Sequence, residues 1–106
     1  MLRILLDECL DRRLCKEFPG CHVKTVPNMG WAGLKNGQLL GRAENDFDVF
    51  VTVDRNLAFQ QQTSRFALAV MVLHARSNRL EDLRPLVPRA LKQLSSLQPG
   101  RVIHIS

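Results

Sequence analysis

The chain predicts an α/β fold, a mostly parallel five-stranded sheet covered by helices on both faces. Apolar runs of strand length alternate along the whole sequence with segments of helical period, the pattern of a three-layer α/β/α arrangement. Residues 49–53 and 68–73 are apolar almost without interruption, as strands buried on both faces are. The length, 106 residues, suits one core and a single domain over 1–106. No internal repeat, low-complexity stretch or linker interrupts it.

The first strand covers 2–6. A helix over 10–18 follows, because Leu10, Leu14 and Phe18 recur every four residues before Pro19-Gly20 stops them. Residues 22–26 alternate as a more exposed second strand that Pro27 ends, and a loop punctuated by Gly30, Gly33 and Gly37 comes next. A second helix over 36–44 would bury Leu39, Leu40 and Ala43, and Asp46 turns the chain into the third strand, 49–53. A short helical segment follows Asp54. The fourth strand is 68–73. A further helix is expected from Asn78, with Glu81 as its capping-box partner, and Pro85 and Pro88 must kink or split it. Leu91, Leu94 and Leu97 continue the stripe to Pro99-Gly100, and 102–105 forms a last strand at an edge. Right-handed crossovers favour the order 2-1-3-4-5, which makes the carboxyl ends of the first and third strands the topological switch point.

Asp7 and Asp54 each stand just past a strand, at that switch point. Neighbouring strands lie ~4.8 Å apart, so the two carboxylates face one another in the crevice where open α/β sheets bind ligands. Two close anions repel, and a hard, oxygen-seeking cation such as Mg²⁺ or Mn²⁺ relieves that repulsion. The alternative for Asp7, Glu8 and Asp54 is capping or first-turn acids of the helices that follow them.

Charge adds to this. The net charge is +5, with seven Lys/Arg against seven Asp/Glu in 1–53 and eight against three in 54–106. A basic half beside an acidic pair suits a polyanion whose phosphates meet Arg and metal; solubility alone is the plainer reading. Arg55, Arg76 and Arg79 follow the third and fourth strands at the same sheet edge as the acids, either as phosphate contacts or as surface residues paired with Glu81 and Asp82. Trp31 either stacks on a base or anchors its loop. His22, His74 and His104 have no serine or cysteine partner at readable spacing and read as strand residues, of which His74 ends the fourth strand nearest the crevice.

Other classes are disfavoured. The longest apolar run, 66–73, is far below the ~20 residues of a membrane span, and 4–6 is too short for a secretion signal, so the cytoplasm is expected. Cys9, Cys15 and Cys21 match neither a redox pair nor a zinc framework and are expected as reduced thiols. The loop glycines form no nucleotide-cofactor fingerprint.

The stretches Ile4-Leu5-Leu6-Asp7-Glu8-Cys9-Leu10, Met29-Gly30-Trp31-Ala32-Gly33-Leu34-Lys35-Asn36-Gly37 and Val51-Thr52-Val53-Asp54-Arg55-Asn56-Leu57 resemble the small, stand-alone bacterial PIN-like proteins, a family of largely uncharacterised function related to the PIN-domain ribonucleases and toxin nucleases. The resemblance spans nearly the whole chain. It implies a PIN-like three-layer fold and metal-dependent hydrolysis of RNA, with Asp7 and Asp54 as metal ligands. Active PIN domains bring a further carboxylate from the helix after the Gly-rich loop, where this chain reads Asn36-Gly37-Gln38. An amide offers oxygen to a cation but no charge.

The leading expectation is therefore an endoribonuclease of toxin type, weakened by Asn36 and Gln38. Asp7, Asp54 and Glu8 would be catalytic; Asp7, Asp54 and Gln38 would hold a weakly bound Mg²⁺ or Mn²⁺; Arg55, Arg76, Arg79 and Lys35 would grip RNA. Glu44 or Asp46 would contribute only if their helix ran unexpectedly. The alternatives are a catalytically decayed RNA-binding module and a protein-interaction subunit whose Trp31 loop docks an antitoxin-like partner or a second copy of the chain.

Overall fold

A computed structural model of the chain describes residues 1–57 and 62–106. Five parallel strands, β1 (Arg3–Leu6), β2 (His22–Thr25), β3 (Val49–Thr52), β4 (Ala69–Leu73) and β5 (Val102–Ile105), form one sheet in the order β2-β1-β3-β4-β5. The expected topology is present, with β2 and β5 at the edges.

Alternation along each strand divides the core in two. Ile4, Leu6, Val49, Val51, Ala69, Met71 and Leu73 point to one face, where they meet Leu14 and Phe18 and the helical segments after β4. Leu5, Phe50, Val70 and Val72 point to the other and pack on Leu39, Leu40 and Ala43 of α1 (Asn36–Asp46). The continuous apolar reading of β3 and β4 has its cause here: every residue of both strands is buried.

Two helices differ from expectation. Residues 10–18 form no α-helix; the stretch is 3-10 over Arg12–Glu17. Asp7 N–H donates to the Val51 carbonyl and Leu10 N–H to the Asp7 carbonyl, which keeps residues 7–10 in a turn at the sheet edge. Helix can start only at Asp11, whose carboxylate accepts the Arg13 N–H at 2.9 Å. Pro19 then leaves too few residues for a longer helix. The helix after β4 starts at Leu80 rather than Asn78. Asn78 instead donates its side-chain amide to the Cys9 carbonyl at 2.9 Å, Glu81 pairs with Arg79 at 2.9 Å, and the Ser77 hydroxyl accepts the Arg79 N–H while donating to Asp82. Pro85 and Pro88 split the segment into α2 (Leu80–Leu83), a 3-10 turn (Arg84–Leu86) and α3 (Val87–Gln93), as prolines require. The helical segment expected after Asp54 falls largely on 58–61, outside the described residues.

Arg3 and Asp48 fasten the entry of β1 to that of β3. The Asp48 carboxylate accepts the Arg3 backbone N–H at 2.8 Å and its guanidinium at 3.1 Å, and Asp48 N–H returns a bond to the Arg3 carbonyl at 2.8 Å. The Arg3 guanidinium holds the Asp48 carboxyl below its usual range. A carboxyl whose folded value is depressed contributes stability above its unfolded value and loses it as pH falls through the folded one. Both side chains are partly exposed, so solvent screening keeps the contribution of the pair small. Asp48→Ala should lower urea stability slightly at pH 7, and the difference from wild type should shrink as pH falls below 3.8, the ordinary aspartate value.

Candidate metal and phosphate crevice

All five strands end at one edge, and alternation selects which side chains meet there. Asp7, Thr52, His74 and His104 continue the parity of Leu5, Phe50, Val72 and Val102 at the carboxyl edge, on the α1 side. The register pairs Leu6 with Val51 and Thr52 with Val72, which sets Asp7 beside Thr52, and Asp54 follows two residues after Thr52.

Thr52 joins the two aspartates. Its hydroxyl is wholly buried, donates to Asp7 Oδ2 at 2.6 Å and accepts the Asp54 N–H at 3.0 Å. Asp7 Oδ1 accepts the Glu8 N–H at 2.8 Å, and Asp54 Oδ1 accepts the Asn56 N–H at 2.9 Å. The capping reading is thus partly realised, since both carboxylates turn the chain locally. Thr52 fixes where they do so. In sequence it reads as an ordinary β-branched strand residue; the available signal was its even spacing from Asp54 inside an otherwise apolar run.

Glu8 is exposed and reaches across to the Gly33 N–H at 3.4 Å. Gly33 has φ +84°, a conformation that favours glycine. Cys9 stands half-buried beside this group; burial first, and then the Asp7 charge, raise its thiol pKa, so it is a protonated thiol rather than a nucleophile. Cys15 and Cys21 are also free thiols.

The remaining expected residues are less closely gathered. Arg55 is exposed immediately after Asp54, and its charge reaches His74. His74 Nε2 meets His104 Nδ1 at 2.7 Å; burial, Arg55 and His104, in that order, push the His74 pKa below 6.5. Arg76 is exposed in the loop after β4. Arg79 pairs with Glu81, as expected of a surface arginine, though the Asn78 bond brings its loop beside that of Cys9. Lys35 and Gln38 are exposed at the start of α1, and among the described residues Gln38 makes no hydrogen bond to either aspartate. Asn36 is half-buried there, while Glu44 accepts the Ala67 N–H at 3.0 Å and Asp46 is exposed at the far end of α1, so neither acid joins the crevice. Trp31 packs edge-on against Phe47, ring centroids 6.1 Å apart, as a loop anchor.

The carboxylates of Asp7 and Asp54 offer oxygen, the donor that hard cations take. A hydrogen-bonded carboxylate oxygen keeps a second lone-pair direction, so Asp7 and Asp54 can still accept an ion. Among the described residues no three His, Cys, Asp or Glu side chains converge as a metal-binding group, and no helix is long and apolar enough to cross a membrane. Comparison with known protein families, with curated proteins and with solved structures finds no match for this chain.

Replacing Thr52 tests the linkage. Thr52→Val keeps the volume but strands the Asp54 N–H and removes a donor from Asp7, at a cost of about 1–3 kcal/mol. Urea unfolding of Thr52→Val against Thr52→Ser should show the loss in the first and most of it recovered in the second.

Proposed function

We propose that the carboxyl-edge crevice binds single-stranded RNA and hydrolyses it slowly, with Mg²⁺ or Mn²⁺ held by Asp7 and Asp54. The observation that supports this reading is the Thr52 hydroxyl, which links the Asp7 carboxylate to the Asp54 backbone at the ends of neighbouring strands. When bound, the cation supplies charge neutralisation and a lowered pKa for water. The chain does the rest. Thr52 and the Glu8 N–H fix the Asp7 carboxylate, the Asn56 N–H fixes that of Asp54, and Arg55 meets the phosphate oxygens as a charge-assisted donor. The exposed Arg76 extends the positive edge, and Glu8 would serve as a third acid by leaving its contact with the Gly33 N–H.

A second reading, RNA binding without hydrolysis, is favoured by one feature. Both Asp7 oxygens already serve internal hydrogen bonds, and no third acid joins the pair among the described residues. A two-metal arrangement needs more anionic ligands than this.

Calorimetric titration with Mn²⁺ should give one weak site in wild type and none in Asp54→Asn. Equal binding by both would overturn the ligand assignment. Incubation of labelled single-stranded RNA with Mn²⁺ should give slow cleavage that Asp54→Asn abolishes, whereas binding without cleavage selects the second reading. RNA affinity should fall with salt, and Arg55→Ala should flatten the log-log slope by about 0.7, the share of one phosphate contact.

A further inference from the structure

Next to Glu8 lies a cleft of about 480 Å³, within the ~300–1,000 Å³ of small-molecule sites. One wall is the 3-10 turn with Arg12, Arg13 and Lys16; the other is the end of β2 with Pro27 and Asn28. Since Leu6 pairs with Thr25, and Thr25 also lines the cleft, it opens at the same sheet edge as the aspartates.

Its chemistry is mixed. Arg13 is committed to Asp11, whose Oδ2 it meets at 2.7 Å; the Arg13 side chain and N–H hold the Asp11 carboxyl at about 2, so the pair stays ionised. Arg12 and Lys16 are exposed, and neither forms an ion pair among the described residues. Leu10 and Pro27 give apolar surface. Asn28 Oδ1 is occupied by the Thr25 N–H at 3.3 Å, which leaves the amide NH₂ as its donor. Glu8 at the mouth repels an anion toward the Arg12–Lys16 wall.

We infer that this cleft is a nucleotide subsite, holding one nucleotide of a strand whose backbone continues through the Asp7–Asp54 crevice. The base lies on Leu10 and Pro27, the Asn28 amide donates to an acceptor on its edge, and Arg12 and Lys16 meet the phosphate. An isolated anion would use only the cations; an apolar ligand would leave them unused. The inference rests on the RNA reading of the crevice, but the cleft needs no metal and no hydrolysis.

Backbone amide spectra of the whole chain, titrated without metal, test it with three probes: a nucleoside 5′-monophosphate, the nucleoside and inorganic phosphate. The monophosphate should shift Arg12, Lys16 and Asn28 and saturate, each fragment binding more weakly. Arg12→Ala with Lys16→Ala should raise its Kd about tenfold, one charge-assisted contact or more, and Arg55→Ala should leave it unchanged. Shifts centred on Asp7 and Arg55, no saturation, or equal binding by the double variant would overturn the subsite. Phosphate binding as tightly as the monophosphate would reduce it to an anion site and overturn the nucleotide assignment. A short single-stranded RNA bound to Asp54→Asn separates the two readings. Dependence on Arg55 belongs to the crevice and dependence on Arg12 and Lys16 to the cleft; loss of the second alone sinks only the subsite.

Discussion

In an all-parallel sheet every strand delivers its last residue to the same edge, and this constraint shapes the protein more than any single contact. The interior is apolar on both faces, so whatever polar groups end the strands gather where the sheet opens. Here they are Asp7, Thr52, Asp54, His74 and His104, all at or just past the carboxyl ends of β1, β3, β4 and β5. A shift of one residue between β1 and β3 would turn Asp7 and Thr52 to opposite faces. The Asp7 N–H to Val51 carbonyl bond and the Arg3–Asp48 pair at the other end of the strands hold that register.

Burial of Thr52 links the core to this edge. A hydroxyl in an apolar layer needs partners, and it finds them in the Asp7 carboxylate and the Asp54 N–H. The satisfied hydroxyl stabilises the fold and at the same time fixes the Asp7 carboxylate and the backbone of Asp54. The structure leaves the positive charge divided: Arg55 and Arg76 stand on the β3 and β4 side of the crevice, and Arg12 and Lys16 on the β2 side.

Much of the fold was legible because burial left few choices. Uninterrupted β-branched runs marked β3 and β4, proline placed the break between α2 and α3, and crossover handedness gave the strand order. The departures have two causes, a side chain used for a tertiary contact and a backbone turn that shortens a helix. Asn78 looked like a helix cap but reaches Cys9, and the Leu10–Phe18 spacing looked α-helical but the Asp7–Leu10 turn shortened it to 3-10. At the site, Asp7 and Asp54 were readable from strand ends, whereas Thr52 and the His74–His104 contact needed the register. The Arg12–Lys16 wall was hidden for another reason. Charge counted over half the chain balances there, while the same cations cluster in space.

If Asp7 and Asp54 hold a divalent cation between them, as we propose, crystals grown with Mn²⁺ and measured for manganese anomalous scattering should show one peak in contact with oxygens of both aspartates; no peak at the carboxyl edge, or a peak only at acids elsewhere on the surface, would rule that site out.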